Sequence, residues 1–337
     1  VLERYSRQTV FKEIGEEGQK KLLKARVAVI GIGALGTVIA NNLARSGVGF
    51  IRLVDRDFID ITNLQRQTLF TEEDVKGNLP KAVAAARHLQ EANSEIALEP
   101  VCADVNARTA AGLIQDTDLV LDGTDNMETR FLINEACCKL GIPWIYGGAL
   151  ASYGATMNII PGKTPCFQCL YPDIPTSGAL ETCASAGVLN MITGIIGCIE
   201  SAEALKILTG NPHINTKLRY FDVWDYSFSG IELKRDPECP VCGKGRYNRL
   251  ERNEGSNTSV LCGRGSVQVV PAGPAHMDFG ALAARLEKLG RVRYNEYLLK
   301  FEKDELEITL FADGRAIIKN AVDENAAKSI YSEYIGL

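Results

Sequence analysis

The apolar run Val27-Ala-Val-Ile30 stops at Gly31, apolar residues recur at helical spacing from Ala34 to Ser46, and Ile51-Arg-Leu-Val54 is a second apolar run. Short apolar runs bounded by glycine read as buried strands, and apolar residues three to four apart read as a helix packed along one face. The alternation returns with a helix from Lys81 to Glu91, strands near Ile96 to Val101 and Leu119 to Leu121, a helix from Arg130 to Leu140, and a strand at Trp144 to Tyr146. The pattern predicts an α/β fold: a Rossmann-like, doubly wound, mainly parallel sheet with helices on both faces.

The rhythm changes after Tyr153. Gly154 to Ile160 reads as a strand, Pro161 to Ala186 as a long loop, Val188 to Leu208 as an apolar helix, and Leu218 to Trp224 and Ser227 to Leu233 as two strands. A loop that long in a compact domain is more often functional or held by a metal than idle. The polar stretch 251–259 is the expected linker between a main domain, 1–250, and a small α+β domain, 260–337. In that second domain strands are expected at Val267 to Val270, Glu296 to Glu302, Leu306 to Phe311 and Ala316 to Lys319. Helices are expected at Phe279 to Leu289 and Asn325 to Tyr334.

The length of 337 residues accommodates two domains. A formal net charge of −5 gives no overall electrostatic reason to expect nucleic acid or an anionic membrane as partner. The apolar stretch Val188 to Ile199 is interrupted by Asn190, Thr193, Gly194 and Gly197, short of the roughly 18 apolar residues of a spanning helix. The first residues lack the apolar core of a secretory signal, so the expected location is the cytoplasm. Ten cysteines in a reducing compartment point to metal or catalysis rather than to disulfides. Cys166/Cys169 and Cys239/Cys242 form two Cys-x-x-Cys pairs, a set suited to tetrahedral structural zinc that would tie the long loop to the domain's far end. Neither pair opens a thioredoxin-like helix, which disfavours a redox dithiol. Cys137, Cys138 and Cys198 read as small core residues, and Trp144 and Trp224 as core or dimer-interface aromatics. His88, His213 and His276 show no metal or triad spacing.

Gly31-Ile-Gly33-Ala-Leu-Gly36 sits between a strand and a helix, where glycines let phosphate approach backbone N–H groups at the helix start. Asp55, at the end of the next strand, can accept hydrogen bonds from ribose hydroxyls. NAD and ATP both fit these residues. The neighbouring set Asn63, Arg66, Gln67, Lys81 and Thr124-Asp125-Asn126 shifts the balance, because a triphosphate under attack develops charge that cations and a carboxylate-held Mg²⁺ stabilise.

In combination, Arg4-Tyr-Ser-Arg7-Gln8, the glycine motif, Asp55-x-Asp57, Asn63-Leu-Gln-Arg66-Gln67, Pro80-Lys81, Thr124-Asp125-Asn126, both Cys-x-x-Cys pairs and Cys183-Ala-Ser-Ala-Gly187 resemble the ubiquitin-activating-like (ThiF/MoeB/HesA) adenylyltransferases. The resemblance runs from Arg4 to about Gly243. It implies that Asp55 binds the ribose, Arg66 and Lys81 contact the triphosphate, Asn63 and Gln67 help position it, and Asp125 holds Mg²⁺. Arg7 would reach the nucleotide of the other subunit of a homodimer. The implied reaction is ATP-dependent adenylation of the C-terminal carboxylate of a small ubiquitin-like carrier ending in Gly-Gly. Pyrophosphate leaves, and a sulfur donor such as a cysteine desulfurase then supplies sulfur for thiamine or molybdenum cofactor biosynthesis. Cys183 matches a cysteine implicated in a covalent linkage to the carrier in one branch; a loop thiol without catalytic role is the alternative. Gly123 stands where many relatives have cysteine, a change expected to leave the metal ligand unaffected. An NAD-dependent oxidoreductase and a non-catalytic scaffold subunit are the rival readings.

Overall fold

A computed structural model describes residues 2–172, 183–251, 258–261, 266–271 and 277–336. The chain divides into two compact units, 1–252 and 253–337. The first unit holds an eight-stranded sheet in the order β3-β2-β1-β4-β5-β6-β7-β8. Its strands are β1 (Arg26–Ile30), β2 (Phe50–Val54), β3 (Ala97–Val101), β4 (Leu119–Asp122), β5 (Trp144–Leu150), β6 (Tyr153–Ile159), β7 (Leu218–Asp222) and β8 (Ser227–Ile231). From β3 through β5 the pairing is parallel; from β5 to β8 it is antiparallel.

Alternation along the central strands places apolar side chains on both faces. Val27 and Val29 of β1 join one core with Leu119 and Leu121 of β4, under the helices Ala34–Arg45, Lys81–Ala92 and Asn190–Thr209. Ala28, Ile30 and Val120 join the other, with Phe131, Trp144 and the helix Met127–Leu140. A strand covered on both sides needs no polar face, which is why its sequence is an unbroken apolar run. The chain leaves β1 toward β2 on one side and later returns to β4 on the other. The carboxyl ends of β1 and β4 therefore flank the crevice where ligands of such sheets bind.

The region 161–186 is not wholly a loop: Phe167–Leu170 is a helical turn, and the backbone of Cys183–Ala186 forms another. The short helix Gly15–Leu22, absent from the sequence expectation, packs against Asn190–Thr209.

The second unit is a six-stranded antiparallel sheet in the order β11-β12-β13-β14-β10-β9. Its strands are β9 (Thr258–Leu261), β10 (Ser266–Val269), β11 (Arg291–Tyr294), β12 (Leu298–Lys303), β13 (Leu306–Phe311) and β14 (Ala316–Lys319). Two of them, β9 and β11, were not expected; β9 begins inside the stretch read as a linker, so 258 and 259 belong to the sheet. Helices Phe279–Leu286 and Glu324–Tyr334 supply Leu282, Leu286, Ala327 and Tyr331 to a core with Val267, Leu299, Phe301, Ile308 and Ile318. Asp278 and Asp323 cap them, each accepting from a backbone N–H three residues on.

The core assignments of two cysteines need correction. Cys198 is exposed and Cys138 only half-buried, whereas Cys137 is fully buried. Trp144 is buried, but Trp224 is 78% exposed in this chain. Among the described residues no helix is long and apolar enough to cross a membrane.

Candidate active site

Backbone hydrogen bonds tie the glycine loop after β1 to the end of β2 and the loop after β4 to the end of β1. Gly31 N–H donates to the Val54 carbonyl and Gly123 N–H to the Ile30 carbonyl, each at 2.7 Å. Gly31 has φ +86°, and a Cβ on it would lie 2.7 Å from the Gly123 carbonyl. A Cβ on Gly36 would lie 1.9 Å from the Gly31 oxygen, and one on Gly123 2.1 Å from that same oxygen. Gly123 thus joins the motif as a packing glycine, and in this backbone the position does not accommodate a cysteine side chain. Gly33 differs from the other three. The nearest atoms to a Cβ there are the Gly123 oxygen at 3.7 Å and Gln67 Nε2 at 4.0 Å, so protein packing does not require glycine at this place.

Of the other residues singled out in the sequence, Gln67 lies nearest that open position. Asp55 follows β2 and accepts from the N–H of Ile32 and of Asp57, both at 2.7 Å. Burial pushes its carboxyl above the usual range, against the pull of the Lys81 ammonium. Lys81 starts a helix after Pro80, is 5% exposed, and places Nζ 3.4 Å from Asp57 Oδ2. Asn63 is buried and its Oδ1 accepts from the Asp60 N–H, fixing the turn that carries Arg66 and Gln67. Arg66 donates to the Thr62 carbonyl at 3.0 Å. Gln67 is 4% exposed, and its Oε1 is buried without a hydrogen-bond partner. An orphaned amide oxygen beside an open glycine is an arrangement a ligand can complete.

Asp125 is exposed in the loop after β4. The preceding residues are fixed by a network that the sequence did not announce. Asp122, with no exposure, accepts from Thr124 N and Oγ1 at 2.8 and 2.6 Å and from Arg130 Nε at 2.9 Å. Arg130 Nη2 donates to the carbonyls of Thr124 and Gly147, tying the β4 loop to β5. Burial pulls the guanidinium pKa down, but Asp122 outweighs it and holds the charge. Beside this pair lies Glu200, fully buried, with neither carboxyl oxygen partnered. Burial, reinforced by Asp122, pushes its pKa well above the ordinary range, which favours the protonated form. A Cβ on Gly147 would lie 1.9 Å from Glu200 Oε1, which explains that glycine. A motif search could not find Glu200, because the same helix also carries the charged Glu203 and Lys206.

Cys166, Cys169, Cys239 and Cys242 converge with all four sulfurs within 4.8 Å of one another. The Cys166–Cys169, Cys166–Cys239 and Cys169–Cys242 separations are 3.9, 3.7 and 3.4 Å. Four thiolates at about 2.3 Å from a tetrahedral ion would be about 3.8 Å apart, so the set fits zinc.

Residues 5–241 match the ThiF family. The chain belongs to the ThiF family. Within that family it is 42% identical over 337 residues, 99% of either chain, to a sulfur carrier protein ThiS adenylyltransferase of Bacillus subtilis (strain 168). It is 37% identical over 251 residues, 74% of this chain and 92% of the relative, to the SAMP-activating enzyme E1 of Haloferax volcanii. Among solved structures it is similar to E. coli MccB with ATP, at a TM-score of 0.63 and 25% identity over 71% of this chain and 74% of that one. The ThiF-family assignment leaves the dinucleotide oxidoreductase reading without support.

In this ThiF-family chain the carboxyl ends of β1, β2 and β4 bring together the glycine loop, Asp55, Lys81 and Gln67. The Asp125 loop follows Gly123 directly. Arg7 is exposed on the helical turn Ser6–Thr9, with no contact that places it in this group. The Cys183 side chain, Cys262 and His276 lie outside the described residues. His88 is satisfied by Asp74 at 2.8 Å, as a structural histidine should be.

Proposed function

We propose that this chain adenylates the C-terminal carboxylate of a small ubiquitin-like sulfur-carrier protein ending in Gly-Gly, releasing pyrophosphate. The observation that carries the reading is the end-to-end match to an enzyme named for that reaction, and the crevice between β1 and β4 agrees with it. A carboxylate repels nucleophiles; attack on the α-phosphate of ATP converts it to an acyl-adenylate with AMP as leaving group. No proton is removed from an ionised carboxylate, so positioning and charge neutralisation suffice.

In this scheme the phosphates lie over Gly33, at the start of the helix Ala34–Arg45, where N–H groups and the helix dipole favour anions. Asp55 accepts from the ribose, Lys81 and Arg66 neutralise charge on the phosphates, and Asn63 and Gln67 hold the turn that presents Arg66. Asp125 would hold Mg²⁺, which neutralises charge on the phosphates when bound. Arg7 would complete the site of a second copy of the chain, giving a homodimer. Cys166, Cys169, Cys239 and Cys242 would hold a structural Zn²⁺, with no position open to substrate. Sulfur from a donor such as a cysteine desulfurase would then displace AMP, with Cys183 a candidate for a covalent carrier intermediate.

The test is ATP–pyrophosphate exchange with a thiazole-pathway and a molybdopterin-pathway carrier side by side, each with and without its terminal Gly-Gly. Exchange should require one intact tail and disappear in Lys81→Met without loss of the folded chain. Carrier-independent exchange, or exchange retained by Lys81→Met, would overturn the scheme.

A further inference from the structure

With phosphates over Gly33 at the end of β1 and a ribose at Asp55 at the end of β2, the nucleotide crosses the sheet from β1 toward β2. Neighbouring strands lie about 4.8 Å apart, and the strand beyond β2 is β3. The base therefore falls over the gap between the ends of β2 and β3. Arg56, the residue after Asp55, spans that gap. Its Nη1 donates to Asp104 Oδ1, in the loop after β3, at 2.8 Å, and its Nε lies 4.0 Å from Asp57 Oδ1. Both loops that it joins are fixed. Asp55 accepts from the Asp57 N–H, and the Asp57 carbonyl accepts from the Lys81 N–H at 3.0 Å, which pins the backbone on either side of Arg56. In the loop after β3, Thr109 Oγ1 donates to the Asp104 carbonyl at 2.7 Å and accepts from the Asn106 N–H at 3.0 Å.

We propose that Arg56 is the platform on which the base of the bound nucleotide stacks, and so sets the share of the affinity that comes from the base. The inference rests on the reading of the crevice as an ATP site. The N–H groups of a guanidinium lie in its plane, so carboxylate partners take its edge and leave its faces for a flat ligand. The Arg56 side chain is 31% exposed, which leaves part of that surface open to solvent. An arginine faces a planar π system with charge and dispersion together, whereas a lysine offers a point charge alone. A long side chain already ordered by Asp104 also loses little freedom when a base covers it. Asp55 and Arg56 then divide the nucleoside between them, the carboxylate taking the sugar and the guanidinium the base.

The experiment compares, by calorimetric titration of the full-length protein, Mg-ATP with Mg-ribose 5-triphosphate, which lacks the base. The parent should bind ATP more tightly than ribose 5-triphosphate. Arg56→Ala should weaken ATP by about tenfold, within the range for removing a side chain on which a base stacks, while ribose 5-triphosphate binds parent and variant alike. Arg56→Lys keeps a charge beside Asp104 without the plane, so toward ATP it should resemble Arg56→Ala. Equal losses of both ligands in Arg56→Ala, restored by Arg56→Lys, would make Arg56 a charge directed at phosphate and overturn the proposal. ATP affinity unchanged in both variants would overturn it too, with the adenylation reading left standing. A parent that binds ATP no more tightly than ribose 5-triphosphate would overturn it without any variant. A parent that binds neither ligand would overturn the nucleotide site and this inference with it.

Discussion

Gly33 and Gly36 stand three residues apart in one motif, yet alanine should damage them in opposite ways. At Gly36 the new Cβ would lie 1.9 Å from the Gly31 carbonyl oxygen. Carbon and carbonyl oxygen in close contact sit about 3.3 to 3.6 Å apart, so the β1 loop and the helix Ala34–Arg45 would have to separate by more than about 1 Å. Both sides of the clash are backbone, with no side chain to rotate away. The cost should reach the upper end of overpacking penalties, about 3 kcal/mol. At Gly33 the nearest atoms lie at 3.7 and 4.0 Å, and φ is −91°. Alanine has room there, and with ψ −146° outside the helical and extended regions the cost should be a backbone one of about 1 kcal/mol, well below that at Gly36. The methyl group would instead occupy the space assigned to phosphate, weakening ATP by about tenfold or more, roughly 1.4 kcal/mol. Urea unfolding and calorimetric titration with Mg-ATP separate the two effects. A Gly33→Ala protein that binds ATP as the parent does, or a Gly36→Ala protein with an unchanged unfolding midpoint, would refute this division of labour.

Three further outcomes follow from the same physics. The guanidinium of Arg52, helped by Arg26, holds the Asp116 carboxyl at about 2. Its stabilisation is therefore present above pH ~4 and lost as pH falls toward ~2; with the side chain 45% exposed it amounts to about 1 kcal/mol after screening. Asp116→Asn should cost that amount at pH 6 and only about a third of it at pH 2.5, and an equal cost at both would contradict the assignment. Chelation of the proposed zinc should lower the melting temperature of the parent and leave that of Cys239→Ser unchanged; parallel shifts in both would count against a metal at the four cysteines. Glu200, held toward its protonated form by burial, releases its proton on unfolding above its ordinary pKa. The stability of the parent relative to Glu200→Gln should thus fall by about 1.4 kcal/mol per pH unit above pH ~5, and a flat difference would mean that Glu200 is ionised in the fold.

Much of this was legible in the chain because strong constraints leave marks on residue type. The central strands β1 and β4 are buried on both faces and therefore read as near-continuous apolar runs, while β2 is interrupted only by Arg52, which is paired with Glu99 and Asp116. The two Cys-x-x-Cys pairs announced a shared site 73 residues apart before any coordinates placed Cys166 beside Cys239. Where packing is weaker the marks fade. All five residues of β8 are exposed, so its end is set by the hairpin with β7 rather than by hydrophobicity. The strands β9 and β11 are four residues each and sit at the two edges of the second sheet, where a short, partly polar segment looks like linker. Asp122, Arg130 and Glu200 escaped notice for another reason. Their significance lies in mutual distance across β4, the helix Met127–Leu140 and the helix Asn190–Thr209, and sequence spacing carries no trace of it.

That buried network bears on how the crevice works. Adenylation as proposed asks for fixed geometry around phosphates rather than for proton transfer, and fixed geometry at the end of a sheet is hard to obtain from loops alone. Here the loop after β4 is held by two bonds from Thr124 to Asp122 and by Arg130, which donates to the Thr124 carbonyl, to Asp122 and to Gly147 of β5. The glycine loop is pressed against it through Gly31, Gly36 and Gly123 at distances no side chain permits. Of the side chains assigned to the candidate site, Asp55, Asn63, Gln67 and Lys81 are themselves held by burial or by hydrogen bonds, whereas Arg66 bonds only to its own turn and Asp125 is exposed. Truncating Arg130 would leave Asp122 as an uncompensated buried charge, a change worth about 3 to 5 kcal/mol and large against the stability of an ordinary domain. Arg66 and Asp125 carry no such burden, and this asymmetry makes loss of activity without loss of structure attainable at Arg66 and not at Arg130.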